Sequence, residues 1–419
     1  MTDSIHWFLG VDWATEAHDT CLTDATGKVH WARRPVRHDV AAVHAFLDTL
    51  LTYTNAAPSE IAVAIETPRG ALVDAFLERG FNVASVNPKQ VDRFRDRFTT
   101  AGAKDDDRDA RVLADARRTD ARAFHPVEPD AAATVQLREL TRTERDLTVQ
   151  LAALASQLRE QIYRVAPPLL TLSPAADDPW FWTLLEHLAS PALRTTLSRT
   201  DVQKLLKDHR IRRVSVDQVW TQIHAPRFHL APGVDEATWL HIDVLLPQMR
   251  VVDAQRRRCE KRIAGLLAEM AEAAPSEAEP GEHRDVTILQ SLPGVGRTIT
   301  ATMFGESAQA LAHRDYATLR LRTGVAPVTK KSGKRKKRPF VLMRRACSPE
   351  LRDACYHWGR VSIQVDEACR RYYDRLRQRG HTHGRALRSV VDRLLRIAVA
   401  MLKHRTLYNP ERLLAAAAA

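Results

Sequence analysis

The chain has 419 residues, 44% hydrophobic and 27% charged, which is enough for two or three domains with their own cores and excludes a disordered class. Lysine and arginine number 63 against 51 acids, a formal charge of +12 with a pI near 9.7, so a polyanionic partner is expected, nucleic acid first. Cys21, Cys259, Cys347, Cys355 and Cys369 are scattered without a CxxC pair, and no apolar run reaches the roughly 18 residues of a membrane span, which argues against a disulfide framework, a zinc ribbon and a membrane anchor and fits a reducing cytoplasm.

Taken in chain order, WFLGVDWA (7–14) reads as a buried strand ending in an acid, and 18–36 as two more strands joined by an Asp-Ala-Thr-Gly turn. Residues 40–53 keep helical spacing, with Val40, Val43, Phe46, Leu47, Leu50 and Leu51 on one side. IAVAIE (61–66) is a further apolar strand ending in an acid. GALVDAFLERG (70–80) is a helix closed by glycine, and NVASVNP (82–88) is another strand. The expectation is an α/β domain over residues 1–125, three antiparallel strands preceding the crossovers.

From residue 126 to 270 the periodicity changes. Leu137, Leu140, Leu147, Leu151, Leu154, Leu158 and Val165 keep heptad spacing, interrupted by Glu144 and Gln161. A second stretch aligns Leu245, Val252, Cys259 and Leu266, with Met249, Ile263 and Met270 beside them. Two readings stay open, a coiled coil, within the chain or across a dimer, and an ordinary helical hairpin. Between them, 168–243 holds Trp180, Trp182, Trp220 and Trp239 and is expected to form a small helical subdomain of unassigned role. A polar linker at 271–284 leads to a basic, mostly helical domain at 285–405, followed by a tail at 406–419.

Acids concentrate in one place. Four aspartates fall between Asp105 and Asp109 at the start of a helix. Capping and the helix dipole favour that without any function. Asp12 and Glu66, however, end strands, where ligands gather in open α/β sheets. Asp106 and Asp109 share a helix face, and Asp105 with Asp109 is an alternative pair. Four such carboxylates repel unless a cation sits among them, and hard oxygen donors suit Mg²⁺ or Mn²⁺ for phosphodiester chemistry. The order Asp, Glu, Asp, Asp on strand, strand and helix is similar to the RuvC-like branch of the ribonuclease H fold.

Two C-terminal segments add nucleic-acid chemistry. LQSLPGVGRTITATMFGE (289–306) has the form of a helix-hairpin-helix, in which Gly294 and Gly296 leave backbone amides open to a phosphate beside Arg297, with a plain Gly-rich helix connection as the alternative. From Lys330 to Arg345 there are nine basic residues and no acid: Lys330, Lys331, Lys334, Arg335, Lys336, Lys337 and Arg338 crowd around Ser332, with Arg344 and Arg345 behind. Ser332 by itself reads as a phosphate ligand, a linker residue or a nucleophile.

GVDWA (10–14), AIETPRG (64–70), KDDDRDARVLA (104–114), LPGVGRTITA (292–301) and GVAPVTKKSGKRKKR (324–338), in this order, resemble the DEDD transposases of bacterial insertion sequences, the bridge-RNA-guided recombinases related to pilin-gene invertases. The resemblance implies an RNase H-like N-terminal domain, a central coiled coil and a helical C-terminal transposase domain. It implies that Asp12, Glu66, Asp106 and Asp109 hold Mg²⁺ or Mn²⁺ and that Ser332 attacks the scissile phosphate. It further implies donor and target DNA, a noncoding guide RNA, and homodimers or homotetramers with composite sites, working at the bacterial nucleoid. The chain departs from the family pattern at Lys330-Lys331, where relatives often carry a polar residue such as Gln, and its tryptophan-bearing middle segment is longer. A water-using junction nuclease and a non-catalytic nucleic-acid scaffold are the alternative functions. A sugar-kinase-like fold, which also begins with such a strand, lacks its second Gly-rich phosphate loop here.

Overall fold

The computed structural model describes residues 5–95, 97, 106–189, 196–226, 228, 230–272, 284–330 and 340–410. The chain divides into a unit ending at Asp130 and a second running from Ala131 onward.

The first unit is built on a sheet of β1 (Trp7–Asp12), β2 (Ala17–Asp24), β3 (Val29–Arg37), β4 (Ile61–Ile65), β5 (Asn82–Ser85) and β6 (His125–Pro126), in the order β3-β2-β1-β4-β5-β6. β1, β2 and β3 are antiparallel, β1, β4 and β5 are parallel, and β6 closes the edge antiparallel. The three antiparallel strands expected from the sequence are present.

The two sheet faces differ in side-chain size. Leu9, Val11, Ile61, Val63 and Ile65 form one core with residues of α1 (Val40–Thr54) and α2 (Ala71–Glu78). Asp39 caps α1 by accepting from the Ala42 amide, and Asn55, in the left-handed region, closes it. The opposite face carries Gly10, Ala64 and Ala84, and there Val91 of α3 (Pro88–Arg95) packs with Val112, Leu113 and Ala116 of α4 (Asp106–Thr119). Small residues let α4 lie directly on the strands. A Cβ built at Gly10 would stand 1.8 Å from the Ala110 carbonyl oxygen.

In the second unit, α5 (Ala132–Val165) and α9 (Val234–Glu272) run antiparallel against each other within the one chain. Leu154, Leu158, Ile162 and Val165 of α5 join Trp239, Ile242, Leu246 and Met249 of α9 in a core completed by α6 (Pro179–Ala189), α7 (Arg199–Asp208) and α8 (Val216–Ile223). Trp180 and Trp182 are fully buried there, so the tryptophan-bearing segment has a core of its own. At the other end, Leu137, Ile263, Leu266 and Leu267 enter a separate core. The heptad rows do not make one continuous seam. Leu147 and Leu151 are only partly buried, and buried Asp253 takes Arg256 at 2.9 Å and Arg257 at 2.8 Å.

The C-terminal core is built by α10 (Asp285–Gln290), α11 (Arg297–Ala312), α12 (Tyr316–Arg322), α13 (Pro349–Val365), α14 (Glu367–Gln378) and α15 (His383–His404), with a hairpin of β7 (Val328–Lys330) and β8 (Phe340–Leu342). α5 crosses α11 at Gly305: the Gly305 carbonyl accepts from Arg138 Nε at 2.6 Å, and buried Glu306 accepts from Arg142 Nε at 2.7 Å. At the next residue, Ser307, α11 leaves helical geometry. Most of the expected linker, residues 273–283, lies outside the described residues, as do residues 411–419 of the tail. Among the described residues no helix is long and apolar enough to cross a membrane.

Candidate active site

β1 and β4 are parallel with Val11 opposite Ile65, so Asp12, the last residue of β1, and Glu66, directly after β4, stand side by side at the carboxyl end of the sheet. The acids come together here because both strands are buried apolar runs that stop at the same level. Asp109 is brought to that end by α4, whose seat on Gly10 sets its position along β1. Its carboxylate is buried. Asp106 opens α4 one turn earlier on the same face; its side chain lies outside the described residues, as does all of Asp105.

A cation sits among these acids, and the chain supplies it. Arg95, the last residue of α3, donates Nε to Asp109 Oδ1 and Nη2 to Asp109 Oδ2, both at 2.6 Å. Its Nη1 reaches Asp92 at 2.5 Å, and Nη2 lies 3.7 Å from Glu66. The two bonds to Asp109, chiefly, raise the Arg95 pKa above its ordinary value. Sequence reading passed over Arg95. The only signal was its place in the cationic stretch DRFRDRF, where nothing singles it out from its neighbours.

These residues fit a divalent cation. Hard carboxylate oxygens converge, and a guanidinium already bridges two of them where an ion would neutralise them. Among the described residues no group of three or more Asp, Glu, His or Cys side chains is closed into a metal cluster.

The expected phosphate-binding turn lies between α10 and α11. Gly294 takes φ +78° and packs against the Ser362 backbone, and the Pro293 carbonyl accepts from Trp358 Nε1 and Ser362 Oγ, both at 3.0 Å. α11 then begins at Arg297 with exposed Gly296 as an N-cap that offers no side-chain acceptor. Ser332, Lys331, Lys334, Arg335, Lys336, Lys337 and Arg338 belong to the connection between β7 and β8 and lie outside the described residues, as does the Lys330 side chain.

Residues 9–167 match a family model of the DEDD IS110 type described as a transposase, and residues 286–374 match one described as "Transposase IS116/IS110/IS902 family". The chain belongs to this transposase family. The first match spans Asp12, Glu66, Asp106 and Asp109, and the second spans Gly294, Gly296, Arg297 and Ser332. "Putative transposase y4uE" of Sinorhizobium fredii is 42% identical over 214 residues, covering 51% of this chain and 59% of that protein. The chain therefore matches less than two thirds of that relative's length. "Mini-circle putative transposase for IS117" of Streptomyces coelicolor is 28% identical over 401 residues, covering 94% of this chain and 93% of its own. The IS110 43.6 kDa protein of the same organism is 28% identical over 419 residues, with 97% and 96% covered.

A histidine pair stands just beyond the end of β1. The Ala14 amide, just past Asp12, donates to His18 Nδ1 at 3.3 Å, which leaves Nε2 as the protonated nitrogen facing His38 Nδ1 at 2.9 Å. Burial, and then His38, lower the His18 pKa below its ordinary value of 6.5. A neutral His18 is favoured in the folded state, so its contribution is complete above about pH 6.5 and is lost as pH falls below that value. Urea denaturation at pH about 7.5 and about 5.5 is expected to show a larger loss of stability in the native protein than in His18→Asn. Equal losses in the two proteins would assign the pH dependence to other groups.

Proposed function

We propose that this transposase cuts and rejoins DNA through Ser332, assisted by a divalent metal at Asp12, Glu66, Asp106 and Asp109, with a noncoding RNA selecting the DNA. The observation that carries the reading is the convergence of Glu66 and Asp109 on one cation, with Asp12 beside Glu66. Mg²⁺ or Mn²⁺ held by these four acids supplies charge neutralisation at the scissile phosphate.

The chain's own residues do the rest. Ser332 Oγ forms a bond to phosphorus, the bond from phosphorus to one DNA oxygen breaks, and that oxygen leaves as a hydroxyl carrying the proton. A hydroxyl of the partner strand then attacks the phosphoserine and releases Ser332. Lys330, Lys331, Lys334, Arg335, Lys336, Lys337 and Arg338 neutralise backbone phosphates, and Gly294, Gly296 and Arg297 hold a second stretch of backbone. None of these groups reads base sequence, which suits a guide that does so by pairing while the protein grips shape and charge. Two or more copies, joined along the α5 and α9 helices, bring the acids of one to the serine of another.

Denaturing electrophoresis of the protein with cleavable DNA and guide RNA tests the chemistry. The native protein gives a DNA band shifted by covalent protein, Ser332→Ala gives none, and Glu66→Gln lowers its yield at least about a hundredfold. Full cleavage by Ser332→Ala, without a protein-linked band, would leave the water-using nuclease as the function. Full strand exchange by Glu66→Gln would overturn the metal assignment.

A further inference from the structure

A cavity of about 160 Å³ opens where the β7–β8 hairpin joins the helical body. Val325, Cys355, Leu387 and Val391, all buried, make its apolar floor. Met343 and Tyr356 stand half-exposed on its rim, Met343 directly after β8. Burial pushes the Cys355 thiol up to about 12, so the floor binds and does not react.

The cations on the rim are not equivalent. Arg352 contacts Asp353, and Asp353 in turn takes Arg145 at 2.8 Å. Arg388 is half-buried, and among the described residues no carboxylate is seen against it. Desolvation, and then Arg385, lower its pKa. Half-buried guanidinium groups are normally paired. The carboxylates closest to hand are already taken: Asp353, in the same lining, by Arg145 and Arg352, and Asp392, four residues on in the same helix, by Arg320. That leaves Arg388 open to an anionic ligand.

Cavity size narrows that ligand. A space of about 150 Å³ accommodates a single aromatic ring, well short of the roughly 300 Å³ or more typical of whole cofactors. A ring on an apolar floor beside Tyr and Met, with an anion on the adjoining arginine, is the chemistry of one unstacked nucleotide.

We propose that this pocket receives a single unpaired base of the DNA strand running along the β7–β8 hairpin, with the neighbouring phosphate on Arg388. The inference rests on the proposed DNA chemistry of Ser332, which identifies DNA as the strand passing this hairpin. It adds a site outside the acids and the serine.

The test is photo-crosslinking of the full-length protein to single-stranded DNA in which one 4-thiothymine is moved along the strand, with the adducts mapped by mass spectrometry. At one strand position the adduct is expected within 343–356 or 384–391. Arg388→Ala is expected to reduce it at least about tenfold and to lower the salt dependence of binding by about one phosphate, whereas Arg388→Lys retains most of it. Gly384→Leu tests the cavity itself. A Cβ at this helical position meets only Arg388 Nη1, at 3.5 Å, so the helix tolerates the side chain while it blocks the mouth. Adducts confined to other segments, or unaffected by both Arg388→Ala and Gly384→Leu, would overturn the pocket. So would a pocket adduct from a 4-thiouridine RNA strand with none from DNA. Serine-linked DNA without any pocket adduct overturns this inference alone, whereas failure to bind DNA overturns the proposed function with it.

Discussion

Gly10→Ala is expected to unseat α4 and to destabilise the first unit by about 3 kcal/mol or more. The added methyl would lie 1.8 Å from the Ala110 carbonyl oxygen and 2.6 Å from the Ala114 nitrogen. These are backbone atoms in the middle of a helix and no rotamer relieves them, so α4 must shift as a body. Asp109 travels with it, and in the proposed metal site carboxylates holding an ion at about 2.0–2.6 Å would tolerate little displacement. Strand cleavage is therefore expected to fall further than the folded fraction does. Gly265→Ala is the matched control. It sits inside α9 with open space around its Cβ, and is expected to be neutral or stabilising by up to about 1 kcal/mol. Chemical denaturation of the three proteins separates these outcomes, and equal stability of Gly10→Ala and the native protein would show that α4 does not rest on β1 at this point.

Arg95→Ala is expected to tighten Mn²⁺ binding by about ten- to a hundredfold. An ion entering the proposed site would have to displace two charge-assisted bonds to Asp109 and the approach to Glu66. Such bonds are worth about 1.5–3 kcal/mol each, partly regained when the freed guanidinium returns to water. The same change strips the metal-free protein of its internal counter-ion, so thermal stability without metal falls as Glu66 and Asp109 repel each other. Titration calorimetry with Mn²⁺ and melting with and without the ion give two independent readings. The expected pattern is a lower melting temperature without metal and a larger rise on adding it. Unchanged affinity would mean that Arg95 and the ion occupy different positions.

Both predictions depend on residues of different legibility in the sequence. Asp12 and Glu66 were readable because each ends a buried apolar strand, and strands that stop together bring their last residues together. The helix carrying Asp109 was readable from its spacing. Arg95 was not, because its partners Glu66 and Asp109 lie in other elements and guanidinium groups are abundant throughout this chain. The heptad rows of α5 and α9 were readable as two long helices, with a coiled coil and a helical hairpin both left open. That they serve two separate cores was hidden, since Leu147 and Cys259 keep the spacing while Asp253 and its arginines interrupt the apolar contact. The hairpin β7–β8 was hidden as well, because strands of three residues are too short to show an alternation of apolar and polar residues. The break at Ser307 directly follows Gly305 and Glu306, which accept from Arg138 and Arg142 of a helix far away in the chain.

The tryptophan-bearing core and the C-terminal core share α5 and α9 as common beams, and the stretch between them is held by ions. Apolar cores carry no charge for salt to screen, whereas partly exposed ion pairs such as Arg257–Asp253 and Arg145–Asp353 weaken as counter-ions accumulate. Salt thus acts on the waist and leaves both ends intact. Hydrogen exchange along the beams is expected to be fastest at their midpoint, with the two ends opening as separate cooperative blocks. If the protein binds nucleic acid as proposed, the polyanion is expected to loosen the same waist, so that binding and the stiffness of the second unit would share one electrostatic balance.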